Sequence, residues 1–194
     1  MPASLSAKNL ILAYSKKLQD LLATAEWSEV DLLAQDILRC WKEKRQIFLC
    51  GNGGSAGNAI HLANDFLYGV SKKTGGGVKA QALSANAAVL TCLANDLGYE
   101  SIFSEQLAVQ AQGGDLLIAL SGSGNSPNII HAIQRANIMG VKSYAIVGFN
   151  GGICKKLVNV LIHFKINDMQ IAEDLQLVVG HMIMQYLYEH REEI

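Results

Sequence analysis

The chain has little proline, almost no net charge and no closely spaced cysteine pair. Two of its 194 residues are proline and half are hydrophobic, which argues against long disordered regions and suits a globular protein. Sixteen basic side chains balance 17 acidic ones, so neither a nucleic acid nor an anionic membrane is expected as a direct partner. No apolar run has the length needed to cross a bilayer. The opening Met1-Pro2-Ala3-Ser4 lacks a basic segment followed by an apolar core, so no secretory signal is expected. Cys40, Cys50, Cys92 and Cys154 are scattered and read as reduced, mostly buried thiols of a cytoplasmic protein. Repeats, low-complexity stretches and linkers are absent, and one domain over 1–194 is the simplest reading.

What is present is a rhythm. Apolar residues at helical spacing (Leu10, Ile11, Tyr14, Leu18, Leu21, Leu22) predict a helix over 5–24, and Val30, Leu33, Ile37 and Trp41 a second over 28–44. An apolar helical pair standing outside a βα core must cover something, and a partner subunit would serve. From 45 onward, short apolar runs at 47–50, 78–83, 116–120, 143–147 and 158–162 alternate with helical segments. They predict an α/β fold: a three-layer αβα sandwich around a five-stranded parallel sheet, preceded by the N-terminal helical pair. A last helix runs from about Met169 to His190, with Asn167 or Asp168 as its cap and Gln170 reaching back as in a capping box.

Open parallel sheets bind ligands at the carboxyl ends of their strands. The first strand leads into Gly51-Asn52-Gly53-Gly54-Ser55, where Ser55 can cap the following helix. The third leads into Ser121-Gly122-Ser123-Gly124-Asn125-Ser126-Pro127, where Ser126 can cap and Pro127 suits the first helical position. Free N–H groups at a helix start, with serine hydroxyls, can cradle a phosphate without any lysine. Either loop could be an ordinary tight turn, but two at strand ends favour a ligand. No Gly-Lys-Ser/Thr follows the glycines, which excludes a Walker-type loop. Gly51, Gly53 and Ala56 match the loose dinucleotide fingerprint, yet the second strand offers no acidic residue for a ribose.

These loops, together with His61-Leu62-Ala63-Asn64-Asp65 and Ala94-Asn95-Asp96-Leu97-Gly98-Tyr99, resemble the sugar isomerase (SIS) superfamily. With His61 and the last-helix His181, the chain resembles the phosphoheptose isomerases within it, over essentially its whole length. That family converts sedoheptulose 7-phosphate to heptose 7-phosphate for bacterial surface polysaccharides. The resemblance implies sugar-phosphate contacts from Asn52, Gly53, Gly54, Ser55, Asp65, Asn95, Asp96, Ser121, Gly122, Ser123, Ser126 and Glu173. It implies one zinc ion per subunit at His61, Asp65, Glu173 and His181, acid/base roles for Asp65 and His181, and a homotetramer with active sites near subunit boundaries. Four positions depart from the family pattern. Asp65 replaces a glutamate and Glu173 a glutamine, which keeps metal-binding oxygens but changes reach and charge. Gly69 replaces an arginine and Gly122 a threonine, which removes ligand-binding groups and bears on the substrate taken.

Spacing alone says less. His61 and Asp65, four apart, share a helix face, which suits zinc but on spacing alone favours a local hydrogen bond or ion pair. Glu173 and His181 are eight apart, roughly 12 Å along an ideal helix, so Glu173 is the hardest ligand to bring to a common ion. With Asp174 it could instead complement a helix N-terminus, and His181 could simply pack among Val178, Met182 and Gln185. His131, His163 and His190 show no ligand spacing. Two further functions stay open at this stage. Some SIS proteins are non-catalytic ligand-sensing regulators, and one close relative of the family binds the bacterial replication initiator. The chain could also isomerise a different sugar phosphate.

Overall fold

The computed structural model describes residues 6–72 and 76–194. Two helices, α1 (Ala7–Thr24) and α2 (Ser28–Lys42), precede β1 (Ile47–Cys50). Then come α3 (Gly53–Leu67), β2 (Ala80–Ala82), α4 (Ala87–Leu97), α5 (Ser104–Gln110), β3 (Leu116–Ser121) and α6 (Pro127–Ile138). The chain closes with β4 (Lys142–Val147), α7 (Cys154–Leu157), β5 (Val160–His163) and α8 (Met169–Glu189). The sheet runs β2-β1-β3-β4-β5 with every neighbouring pair parallel. Two strands are shorter than their apolar runs. Val78 donates its N–H to Phe66 rather than to a strand, and Val158 caps α7.

Successive strand side chains point to opposite faces. Ile47, Leu49, Leu116, Ile118, Leu120, Tyr144 and Ile146 pack with α2, α3 and α8. Phe48, Cys50, Leu117, Ala119, Ala145 and Val147 pack with α5, α6 and α7. This is the expected three-layer arrangement, with both faces of the sheet covered.

The helical pair behaves differently from expectation. α2 buries Val30, Leu33, Ala34, Ile37, Leu38 and Trp41 in the core of its own chain, so it belongs to the sandwich. Acidic Glu29 and Asp31 in its first turn and basic Arg39 and Lys42 in its last suit the helix dipole. α1 lies further out, with Tyr14, Leu18, Leu21 and Leu22 half-buried against the same core. None of its residues is fully buried, and Leu10, Ile11 and Leu12 face solvent. Among the cysteines, Cys40, Cys50 and Cys154 are buried and Cys92 is exposed. Burial pushes the Cys40 and Cys154 thiols up to about 11, which leaves them protonated and inert at neutral pH.

Asp36 ties α2 to the sheet. It accepts from the Tyr144 hydroxyl and pairs with Lys142 at 2.6 Å. Burial alone would raise its pKa, but the hydrogen bonds from Lys142 and Tyr144 outweigh it and hold the carboxyl below its ordinary value. A carboxyl with a depressed folded pKa contributes stability above its unfolded pKa, and that stability is lost as pH falls through the folded value. Asp36→Asn should therefore lower unfolding free energy by about 1.5–3 kcal/mol at neutral pH. The loss should shrink below the ordinary carboxylate range, as measured by urea titration at a series of pH values.

Candidate active site

The chain leaves β1 for β2 on one side of the sheet and β3 for β4 on the other, so β1 and β3 flank the topological switch point, where open α/β sheets bind ligands. Their carboxyl ends lie side by side, Cys50 in register with Ala119. The two glycine- and serine-rich loops therefore meet. They enclose a cavity of about 270 Å³ lined by Asn52, Gly53, Gly54, Ser55, Leu120, Ser121, Gly122, Ser123, Ser126, Met169 and Glu173. Hollows of about 500 Å³ along the end of α8 and about 490 Å³ beside β5 are larger, but they lie away from the switch point.

Three helices start at this cavity. Asn52, not Ser55, is the N-cap of α3, and Gly53 adopts φ +54° to begin it. Ser55 is the third helical residue, and its N–H donates to Glu173 Oε1 at 3.1 Å. Ser126 is the N-cap of α6 with Pro127 after it, as expected, but its hydroxyl makes no cap bond. Asp168 caps α8 by accepting from Ile171 N–H, so Gln170 falls one position short of a capping box. Among the described residues no lysine or arginine lines the cavity. An anion there would be held by N–H groups and positive helix ends.

The loops are stiffened from within. Asn52 and Asn128 exchange two amide hydrogen bonds of 2.8 Å across the switch point, and Tyr99 donates to Asn52 Oδ1 at 3.0 Å. Ser84 Oγ donates to the Gly51 carbonyl at 3.0 Å. Ser121 Oγ and Ser123 Oγ accept from the N–H groups of Gly124 and Asn125, at 3.1 and 3.2 Å. At Gly122 an added Cβ would lie 2.3 Å from Met169 Sδ, so the methionine fills the space of a larger residue. Asn128, Ser84, Tyr99 and Met169 were not foreseen from sequence. A Pro-Asn pair at a helix start was the one available signal, for Asn128. Asn95 and Asp96 do not reach the cavity of their own chain. They lie exposed on α4 and bond each other at 2.8 Å.

A second cluster lies further down α3 and α8. His61 Nε2 and His181 Nε2 are 2.9 Å apart, and Asp65 Oδ2 lies 3.3 and 3.6 Å from them. A tetrahedral ion with N and O ligands at about 2.0–2.1 Å sets those ligands roughly 3.3–3.4 Å apart, so the three side chains fit a metal. Aspartate's shorter arm suffices. Gly69 stands beside it, where an added Cβ would be 3.7 Å from Asp65 Oδ1. Glu173, the fourth expected ligand, is outside this group because its carboxylate is turned to Ser55. Of its two alternative roles it takes the second in altered form, since the helix it complements is α3, not its own. Asp174 instead accepts from the Tyr14 hydroxyl of α1. His163 and His190 bond the backbone carbonyls of Phe149 and Tyr186.

Glycine brings the helices together. An added Cβ at Gly180 would lie 2.1 Å from Leu62 Cδ2, and the next residue in α8 and the previous one in α3 are the two histidines. Leu62 is buried and cannot give way. Gly180→Ala should therefore cost about 1–3 kcal/mol through overpacking, exceeding the ~1 kcal/mol a helical alanine gains. It should also weaken divalent-metal binding, and Leu62→Val should recover part of both. Urea titration and metal titration check this pair.

The SIS domain family model matches residues 12–148. A phosphoheptose isomerase from Akkermansia muciniphila is 35% identical, covering 91% of this chain and 92% of its own. One from Chlorobaculum parvum is 34% identical, with 90% and 84% covered. The solved phosphoheptose isomerase from Neisseria gonorrhoeae superimposes with a TM-score of 0.85 at 26% identity, over 94% of this chain and 98% of that one. With these similarities running nearly end to end, the chain belongs to the phosphoheptose isomerase family of SIS-domain proteins.

Proposed function

We propose that this chain isomerises sedoheptulose 7-phosphate to D-glycero-D-manno-heptose 7-phosphate, a reaction of surface-polysaccharide synthesis, with a zinc ion held by His61, Asp65 and His181. The observation that carries this reading is the convergence of those three side chains on the helices that also open the cavity. His61 lies eight residues past Gly53 on α3, and His181 eight past Glu173 on α8, roughly 12 Å in each case. An extended sugar phosphate can then hold its phosphate at Ser121, Ser123 and Ser126 and its reacting carbons toward the cluster, with Asn52, Gly53, Gly54 and Ser55 along the way. A binding module needs the cavity but not the cluster.

Isomerisation moves a proton between neighbouring carbons through an enediol, so it needs a base, an acid and stabilisation of a developing oxyanion. Zinc, when bound, supplies a Lewis acid for the carbonyl and hydroxyl oxygens. Asp65 and His181 serve as the proton-transfer pair, and the half-buried amide pair Asn52–Asn128 keeps the loops in register. We place the protein in the cytoplasm as a homotetramer. The apolar face of α1 and the exposed α4 would pack on other copies, which would bring Asn95 and Asp96 to a neighbour's sugar.

Sedoheptulose 7-phosphate turnover in a coupled assay, with zinc measured on the same preparations, tests the proposal. His181→Gln should lower the rate by on the order of 10²–10⁴-fold and reduce zinc content, while sugar-phosphate binding persists. Wild-type protein that binds sugar phosphates without turning any over would establish the regulatory reading. Full activity and full zinc in His181→Gln would refute the mechanism.

A further inference from the structure

The first strand-to-helix turn has the glycine spacing of a dinucleotide site, Gly51, Gly53 and Ala56. In such sites a pyrophosphate rests on the helix N-terminus that follows. In this chain a carboxylate already sits there. Glu173 reaches from α8 and sets Oε1 3.1 Å from the Ser55 nitrogen and 3.4 Å from its hydroxyl. Gly54 makes the seat, since an added Cβ would lie 2.2 Å from Glu173 Oε2. The arrangement is braced on its far side. Gln176 Nε2 donates to Ser55 Oγ at 3.1 Å, and Asn58 Nδ2 donates to Gln176 Oε1 at 2.9 Å and to the Glu173 carbonyl at 3.0 Å.

We propose that Glu173 is a specificity-determining residue: a built-in anion that fills the N-terminus of α3 and restricts the cavity to ligands with a single phosphate. The inference rests on the sugar-phosphate reading above. With the Ser55 N–H taken and a carboxylate facing the start of α3, the N-terminus of α6 and the serines of its loop are the better seat for a phosphate. A second phosphoryl group would have to settle beside Glu173, and among the described residues no basic side chain lines the cavity to offset the repulsion. Neutral hydroxyls meet no such barrier. The carboxylate's hydrogen bonds among the described residues go to Oε1, so Oε2 can accept from a sugar hydroxyl. The same residue thus favours a polyol chain and rejects a diphosphate, although the glycine turn would otherwise suit one.

Calorimetric titration with orthophosphate and with pyrophosphate tests this, at low salt and with EDTA present so that no metal ion contributes. Wild-type protein should bind orthophosphate at least as tightly as pyrophosphate. Glu173→Gln should shift the ratio toward pyrophosphate by about tenfold or more, equivalent to about 1.4 kcal/mol. Glu173→Asp, which keeps the charge, should retain the wild-type preference, and urea midpoints report whether each variant folds. A ratio unchanged within about twofold in folded Glu173→Gln overturns the inference alone. So does a wild type that binds sugar phosphate yet prefers pyrophosphate. A wild type that binds no phosphate or sugar phosphate overturns the sugar-phosphate reading and this inference with it.

Discussion

The approach of α8 to α3 at Gly180 and Leu62 governs the geometry of the site. A glycine inside a helix costs about 1 kcal/mol relative to alanine, so α8 is weakened by having one at its middle. Burying Leu62 against the bare backbone is worth about 1.5–3 kcal/mol, which exceeds that cost. The contact also sets a distance. With His61 and His181 adjacent in sequence to the touching residues, their Nε2 atoms come within 2.9 Å. A methyl group at 180 would force the helices apart, and imidazoles have no spare length to follow. Packing energy and the spacing of the two imidazoles are thus two consequences of one contact.

Electrostatics at the other end of the same helices works without basic side chains. Strand order puts the starts of α3 and α6 beside each other at the switch point, and Met169 and Glu173 bring the start of α8 to the same cavity. Helix N-termini attract anions, and the effect fades within a turn, so it acts where the cavity lies and not at the His61–Asp65–His181 cluster roughly 12 Å away. Glu173 uses part of that field and the serine loop keeps the rest. The Asn52–Asn128 pair fixes both loops so that little ordering remains to be done when a ligand enters.

Much of this was legible before any coordinates. Short, largely apolar runs between helical segments announce buried parallel strands, and all five lie where those runs are. The two loops and the His61–Asp65 spacing follow from local pattern, which sequence displays directly. What failed depended on partners distant in sequence. Apolar periodicity looks the same in α1 and α2, and nothing local tells that α2 is buried in its own core while α1 is only half-buried at the edge of it. Ser55 resembles a cap because serine favours that position, but Gly53 can take a positive φ and the helix starts three residues earlier, with Asn52 as its cap. Glu173 has metal-capable oxygens, yet its orientation is decided by the Ser55 N–H and the gap at Gly54. Gly180 gave no signal, because a glycine within a helical pattern has several meanings.

The central claim is that α3 and α8 form one metal site from His61, Asp65 and His181 at the foot of a phosphate cavity. Anomalous diffraction from crystals of the purified protein, recorded on both sides of the zinc absorption edge, tests it most directly. The account predicts one zinc peak per chain, bounded by His61 Nε2, His181 Nε2 and an Asp65 carboxylate oxygen. A zinc-replete crystal with no peak between these three side chains, or with its peak elsewhere in the chain, would contradict it.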